Sequence, residues 1–214
     1  MDDAVAILIP AAGASRRMGA RDKLLERIDA TPLLRRQAAR ACEAIGAAAE
    51  ERVIVALPPP EASSAARDRH AVLDGLALRR AIVPAPEEGM AASLRAGLGA
   101  APPDASGVLI LLPDMPDIET ADLRRLIDAF GRDPQAPILR ACTADGRPGH
   151  PVLFPRRHLA QLAGIAGDQG GRALLDQHAH ELRCVRLDGV RAVTDLDTPE
   201  AWRAWRAHRN TNAP

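Results

Sequence analysis

Residues 5–25, VAILIPAAGASRRMGARDKLL, are the stretch around which the rest of the chain is organised. The apolar run Val5 to Pro10 predicts a buried strand. It leads into Ala11 to Gly19, a loop of small and cationic residues that can bring backbone N–H groups close to phosphate oxygens. Lys23 follows this loop and is the only lysine among 28 basic residues. Its place favours a compact ammonium over a planar guanidinium, with coincidence as the alternative.

The composition indicates one soluble globular domain. For 214 residues we expect a single domain over residues 1–209 and a disordered polar tail over residues 210–214. The formal net charge is zero, which argues against nucleic acid or an anionic membrane as the main partner, because both favour a basic excess. No apolar run approaches the roughly 18 residues of a membrane span.

The three cysteines, Cys42, Cys142 and Cys184, are odd in number and far apart. We expect neither a disulfide framework nor a CxxC metal site from this spacing. A reducing cytoplasm is therefore the expected location.

Strand and helix signals alternate along the chain. After the first strand, strands are predicted at residues 52–57, 80–83, 107–112, 137–143, 152–154 and 182–187. Helices are predicted at residues 31–46, 61–75, 90–98, 120–130, 170–178 and 200–208, with a loop over residues 144–151. This alternation implies βαβ units, and hence an α/β fold with a mostly parallel sheet and helices on both faces.

Ligands of an open α/β sheet bind beyond the carboxyl ends of its strands. The loop after residues 5–10 brings Arg16, Arg17 and Lys23 to this edge, which suits a polyphosphate. The loop after residues 107–112 adds Asp114, held between two prolines. A triphosphate beside a carboxylate implies Mg²⁺. Neither GxxxxGK[ST] nor GxGxxG is present, so a P-loop is excluded and NAD binding is disfavoured.

Five motifs then occur in order over residues 8–200: PAAGASRRMGxxxKLL, LPDMP, GHPVLF, GDQGGR and DLDTPE. Together they resemble the MobA-like nucleotidyltransferase family, and most closely its molybdenum cofactor cytidylyltransferase branch. The resemblance implies a Rossmann-like sheet of the nucleotide-diphospho-sugar transferase type. It also implies transfer of a nucleoside monophosphate to a substrate phosphate with release of pyrophosphate. The implied acceptor is molybdopterin, with a molybdoenzyme or its chaperone as a candidate protein partner.

The resemblance also implies roles for single residues. Phosphate binding and catalysis fall to Arg17, Lys23 and Asp114. Asp114 would bind Mg²⁺ together with Asp195 or Asp197. The nucleotide base and ribose would contact Ala11, Ala12, Gly13 and Ser93. The acceptor would be lined by Gly149, His150, Pro151 and the segment Asp168 to Arg172, including Gly170 and Gly171.

Two sequence features predict the base of the donor nucleotide, and they indicate different bases. Ala11-Ala12-Gly13 resembles the cytidine-using members, whereas three residues between Gly19 and Lys23 resemble the guanylyltransferase branch. We give Ala12 more weight, because a small side chain next to the base acts directly on base fit. CTP is therefore the expected donor. Guanylyl transfer to the same acceptor and transfer to a sugar or polyol phosphate are the alternatives.

Structural roles are the competing interpretations for several of these residues. Asp114 could be a turn residue, Asp197 could cap the last helix, and His150 could pack beneath a turn. Trp202 and Trp205 are expected to pack that helix onto the sheet.

Overall fold

A seven-stranded sheet forms the centre of the computed structural model, which describes residues 5–19, 21–131, 135–165 and 170–211. The strands are β1 (Val5–Pro10), β2 (Val53–Leu57), β3 (Arg79–Ile82), β4 (Gly107–Ile110), β5 (Ile138–Cys142), β6 (Pro148–Pro155) and β7 (Leu182–Arg186). Their order is β3-β2-β1-β4-β6-β5-β7, and β6 runs antiparallel to both of its neighbours. The predicted mostly parallel sheet is thus confirmed. Two short strands, Arg27–Ile28 and Thr31–Pro32, form a separate antiparallel pair.

Eight helices accompany the sheet in the described residues: α1 (Leu33–Ile45), α2 (Ala49–Arg52), α3 (Ser64–Ala71), α4 (Met90–Gly99), α5 (Thr120–Phe130), α6 (Leu159–Ala163), α7 (Gly170–Gln177) and α8 (Pro199–Thr211). Short 3-10 turns occupy Arg16–Met18, Gly46–Ala48, Pro60–Ala62, Pro86–Glu88, Arg156–His158, Ala179–Glu181 and Arg191–Val193. No helix among these residues combines the length and the apolar character that a membrane span requires.

The core has two layers because side chains of β1 alternate between the faces of the sheet. Val5, Ile7 and Ile9 pack in a cluster that includes residues of α1 and α5. Ala6 and Leu8 pack in a second cluster, with residues of α4, α6 and α7. Both layers exclude water from β1, whose residues are buried throughout.

Several predicted boundaries differ from the structure; for example, the helix predicted at residues 61–75 is shorter, Ser64–Ala71, and the strand predicted at residues 107–112 ends at Ile110. Residues 148–151, predicted as loop, begin β6, because the strand continues its pairing with β5 as far as Pro148. Thr31 and Pro32 pair with the preceding strand, so α1 begins at Leu33 without a side-chain cap. At the other end, α8 extends to Thr211. The first two residues of the predicted tail are therefore helical, and residues 212–214 lie outside the described residues.

The expectation that the cysteines form no disulfide was wrong. Cys142 on β5 and Cys184 on β7 are joined by a disulfide, with their Cα atoms 5.8 Å apart. The parallel pairing of β5 and β7 brings together residues that are 42 positions apart in sequence, which spacing alone cannot reveal. The cysteines thus no longer argue for a reducing compartment.

Gly97 lets α4 approach β1 closely. A Cβ atom at Gly97 would lie 2.1 Å from the Leu8 Cδ1 atom, and Leu8 is fully buried. We predict that Gly97→Ala lowers the free energy of unfolding by about 1–3 kcal/mol, because the side chain overpacks a filled core. Denaturant unfolding measures this.

Gly99→Ala on the same helix is the matched control. Gly99 is exposed, and apart from its chain neighbours and the backbone of its own helix no described atom lies within 4 Å of its Cβ position. Its free energy of unfolding should stay equal or rise slightly, since alanine favours helix. Equal losses in both variants would contradict the close packing at Gly97.

Candidate active site

Three segments meet beyond the carboxyl ends of β1 and β4. These strands are parallel neighbours, with Ile7 of β1 beside Leu109 of β4, so their loops leave the sheet at one edge. The first loop contains Lys23 and the second contains Asp114. The segment before α8 joins them, because the Leu196 N–H donates to the Asp114 carbonyl oxygen at 3.0 Å. Asp197 follows immediately.

The side chains of these segments form a chain of ion pairs. Lys23 Nζ lies 2.6 Å from Asp114 Oδ2 and 2.5 Å from Asp197 Oδ1. Arg17 Nη1 lies 2.7 Å from Asp197 Oδ2. The side chains of Lys23 and Asp114 are largely shielded from solvent, whereas that of Arg17 is 73% exposed. Two cations and two carboxylates thus balance one another.

Burial and mutual repulsion set the protonation of this group. Burial raises the pKa of Asp114 above its usual value, and the neighbouring Asp197 adds to the effect against the attraction of Lys23. For Lys23, burial alone would lower the pKa, but the two carboxylates outweigh it and the pKa is raised. Lys23 therefore stays charged at neutral pH and holds two carboxylates together.

The donor set fits a divalent cation. Asp114 Oδ1 is buried and has no hydrogen-bond partner among the described residues, which is unusual for a carboxylate oxygen. Two carboxylates converging on one point, with an unused buried oxygen, suit a hard cation that prefers oxygen ligands. A metal ion would be held by Asp114 and Asp197.

Asp195 and Asp197, the two candidates for the second metal ligand, have different environments in the structure. Asp195 is exposed, whereas Asp197 is half-buried and contacts Lys23. Asp197 is also not the cap of α8, because the Ala201 N–H donates to Thr198 Oγ1 at 3.1 Å. Its side chain is thereby left to the ion pairs with Lys23 and Arg17.

Arg69 of α3 holds the opening loop together, although no local pattern in the sequence points to it. Its Nε donates to Asp22 Oδ2 at 2.6 Å, and its Nη1 donates to the carbonyl oxygens of Ala11 and Gly13 at 2.7 and 2.9 Å. Arg69 is 4% exposed. One buried guanidinium therefore joins the two ends of the loop, which lie far from it in sequence.

Asp22 connects Arg69 to the backbone around Lys23 through further hydrogen bonds. Its Oδ1 accepts from Ser15 Oγ and from the Leu24 N–H, both at 3.0 Å. Ser15 Oγ in turn accepts from the Lys23 N–H at 3.2 Å. The backbone on both sides of Lys23 is thus fixed by side chains of the same loop.

Side chains of α1 hold the loop that contains Asp114. Gln37 donates to the Met115 carbonyl oxygen. Arg40 Nη1 donates to the carbonyl oxygens of Pro116 and Ile118 at 2.8 and 2.5 Å. These hydrogen bonds satisfy carbonyl groups of the turn that would otherwise lack a partner in the protein.

The last helix packs on the opening loop, so the expectation that it packs on the sheet was wrong. Trp202 is 3% exposed and lies in a separate cluster whose other buried members are Met18, Ile28, Leu33 and Leu196. Trp205 Nε1 donates to Asp117 Oδ1 at 2.9 Å. The two tryptophans thereby hold the segment that carries Asp197 between the opening loop and the loop after β4.

The residues expected at the base lie at the start of the loop and on α4. Ala11 and Ala12 are buried, whereas Gly13 is exposed. Ala12 shares a cluster with Ala92, which precedes the buried Ser93. The loop start and the first turns of α4 therefore lie side by side, and Gly13 offers exposed backbone at this place.

The residues expected at the acceptor lie on β6. Val152 pairs with Ile110, so Gly149, His150 and Pro151 lie beyond the carboxyl end of β4, beside the Asp114 loop. A Cβ at Gly149 would lie 1.8 Å from the Ala192 carbonyl oxygen, which leaves room for glycine alone.

The His150 imidazole is partly buried. Its burial, with Arg140 nearby, lowers the pKa of His150 to about 4. Its Nδ1 is buried without a partner in the described residues.

The second part of the expected acceptor wall is the start of α7. Gly170 and Gly171 are the first residues of this helix, and its Leu174 and Leu175 pack in the same cluster as Val152 of β6. Asp168, which the sequence added to this wall, lies outside the described residues.

Comparison with known proteins assigns the family. The model of the MobA-like NTP transferase domain matches residues 7–182. The chain belongs to the MobA-like NTP transferase family. It is therefore a nucleotidyltransferase, as the five motifs predicted. No curated protein matches this chain.

Solved structures of other proteins agree with the fold. Rv0371c from Mycobacterium tuberculosis H37Rv is 32% identical, with a TM-score of 0.75 and coverage of 94% of this chain and 96% of that one. A structure of Rv0371C in complex with manganese is 30% identical, with a TM-score of 0.70 and the same coverage. CMP:2-keto-3-deoxy-manno-octonic acid synthetase complexed with CTP shares the fold at 18% identity and a TM-score of 0.72, covering 98% and 99%.

We predict that Arg69→Met lowers the free energy of unfolding by about 3 kcal/mol, because Asp22 is left buried without its charged partner. Nucleotide affinity should fall as well, since the loop loses its tie to α3. Denaturant unfolding and calorimetric NTP titration measure the two effects. Arg67→Met, at an exposed position of the same helix, is the control and should change neither. An Arg69→Met protein as stable as wild type would contradict the bracing role.

Proposed function

We propose that this MobA-like nucleotidyltransferase transfers CMP from CTP to the phosphate of molybdopterin or the molybdenum cofactor, with release of pyrophosphate and with Mg²⁺ bound. The observation that carries the proposal is the Lys23 ammonium between Asp114 and Asp197, with Arg17 on the outer carboxylate oxygen. Such a group combines two phosphate-binding cations with two metal-binding carboxylates at the ligand-binding edge of the sheet.

The residues of this group divide the electrostatic work. Attack of one phosphate on another brings anions together, so catalysis consists mainly of positioning and neutralisation. Lys23 and Arg17 would bind the triphosphate and stabilise the departing pyrophosphate. Asp114 and Asp197 would hold Mg²⁺, which supplies charge neutralisation at the reacting phosphates. No general base is needed, since a phosphate nucleophile is already ionised.

The ion pairs among these four side chains would also hold the site together before a nucleotide binds. Lys23 and Arg17 neutralise the two carboxylates, which would otherwise repel each other across a partly buried space. An incoming metal–nucleotide complex brings its own cation and its own anions. The same four side chains can then change partners without leaving an unpaired charge.

CTP is the proposed donor because Ala11-Ala12-Gly13 resembles the cytidine-using members. Small residues here leave space beside the exposed backbone of Gly13. A neighbour with the same fold was solved with CTP, and the fold is thus compatible with this nucleotide. GTP is the second candidate, favoured by the three residues between Gly19 and Lys23.

Molybdopterin is proposed as acceptor from the family resemblance. Gly149, His150, Pro151, Gly170 and Gly171 are its proposed contacts, and the unpaired Nδ1 of His150 supports them, because a buried polar atom calls for a partner. A molybdoenzyme or its chaperone is the proposed protein partner. Since nucleoside triphosphates are intracellular substrates, the proposal places the protein in the cytoplasm.

Pyrophosphate release from each of the four NTPs, with and without purified molybdopterin, tests donor and acceptor together. We expect release with CTP to exceed release with GTP at least about tenfold, about 1.4 kcal/mol of discrimination, and to require molybdopterin and Mg²⁺. Preference for GTP would assign the protein to the second candidate. Strong release with CTP alone would contradict the acceptor.

Paired variants test the carboxylates. Asp114→Asn and Asp197→Asn should each lower the transfer rate at least about a hundredfold, since each removes a charge that acts on the reacting phosphates. Asp195→Asn, two residues away and exposed, is the matched comparison and should retain the wild-type rate. Loss in Asp195→Asn with activity retained in Asp197→Asn would reverse the ligand assignment.

A further inference from the structure

A second cluster of metal-binding side chains lies at the opposite edge of the sheet. It consists of His158, His178 and Glu181, which we call the histidine cluster. Pro155, the last residue of β6, pairs with Gly107, the first residue of β4, and His158 follows three residues later. The nucleotide site, in contrast, lies beyond the last residues of β4. The two groups are therefore on different edges, and the proposed transfer makes no use of the histidine cluster.

The three side chains approach one another closely. One ligand atom from each lies within 4.8 Å of the other two. His158 Nε2 is 3.1 Å from Glu181 Oε2, and His178 Nδ1 is 3.3 Å from Glu181 Oε1. The imidazole ring centroids are 4.4 Å apart. His158 is 5% exposed, so one of the three candidate ligands is buried.

A second layer of hydrogen bonds orients the cluster. Gln161 Nε2 donates to Gln177 Oε1 at 2.9 Å, which turns the amide oxygen of Gln161 toward His178 Nε2 at 3.0 Å. With Nε2 facing Gln161, Nδ1 is the ring nitrogen that faces the Glu181 carboxylate. A metal bound at Nδ1 would leave the Nε2–H to donate to the Gln161 amide oxygen.

Glu181 has its own orienting partner. Arg157 Nη2 lies 2.5 Å from Glu181 Oε2 and orients the carboxylate. Metal ligands typically show this pattern: a histidine that donates its other N–H to a fixed acceptor and a carboxylate that is itself hydrogen-bonded.

We propose that His158, His178 and Glu181 bind Zn²⁺ through His158 Nε2, His178 Nδ1 and a Glu181 oxygen. Two imidazoles and one carboxylate are a known zinc ligand set, with water completing the coordination. Imidazole nitrogens favour zinc and related transition metals over Mg²⁺, which prefers oxygen. The ligand classes at the two edges of the sheet thus select different metals.

The site links three parts of the fold. His158 ends the turn after β6, His178 follows α7, and Glu181 precedes β7. Metal bound to all three would hold α7 against the turn that follows β6. Because the unfolded chain lacks this geometry, binding stabilises the folded state by mass action.

Titration of the full-length protein with Co²⁺, a spectroscopic substitute for Zn²⁺, tests the proposal. Excess Mg²⁺ is present throughout, to keep Co²⁺ from the carboxylates of the nucleotide site. We expect saturable visible absorption of one nitrogen-ligated Co²⁺ per chain, displaced by Zn²⁺, and a higher Tm with Zn²⁺. Absence of a saturable spectrum would show that the cluster is only an ion-pair network and would overturn the proposal.

Variants locate the metal. His178→Gln should weaken Zn²⁺ and Co²⁺ binding at least about tenfold, since even an outer partner of a ligand contributes that much. His180→Gln is the matched control, because His180 is 75% exposed and its Nε2 lies 3.6 Å from Glu181 Oε1. It should bind as wild type does. Unchanged affinity in His178→Gln, or equal losses in both variants, would overturn the assignment.

Wild-type spectra guard against a variant that fails to fold. In the Co²⁺ form, two imidazole N–H protons should show paramagnetically shifted NMR signals. Their absence from a Co²⁺-saturated sample would exclude histidine ligation. This measurement requires no substitution.

Discussion

The contact of one ammonium with two carboxylates is the interaction on which the site depends. Lys23 lies between Asp114 and Asp197 at 2.6 and 2.5 Å, and each of these residues comes from a different segment of the chain. A buried carboxylate without a cation would carry a large desolvation cost. The ion pairs therefore fix the relative places of the opening loop, the loop after β4 and the segment before α8.

The rest of the structure supplies the supports that this contact requires. Arg69 holds the opening loop, and Gln37 and Arg40 hold the loop after β4, in each case through backbone carbonyl oxygens. Trp202 seats the third segment in an apolar cluster. Loops at the edge of a sheet lack ladder hydrogen bonds, so side chains from α1, α3 and α8 take over that task. The proposed catalytic groups therefore lie on irregular backbone that is held at many points.

The two edges of the sheet offer different chemistry. At the carboxyl edge, Asp114 and Asp197 present oxygen ligands beside cations that suit phosphates. At the amino edge, His158 and His178 present nitrogen ligands beside Glu181. The sheet separates them, so that a metal bound at one edge does not share ligands with the other. Their difference in ligand type also lets a titration address one edge at a time.

The sequence by itself determined the fold class, the family and the loops that form the site, because apolar runs and ordered motifs are local patterns. It also singled out Lys23, Arg17 and Asp114 as a group. Only the tertiary structure distinguished Asp197 from Asp195, placed Arg69 beneath the opening loop, joined Cys142 to Cys184 and assembled the histidine cluster. Each of these depends on residues brought together by strand pairing or helix packing across long sequence distances, and no local pattern encodes such contacts.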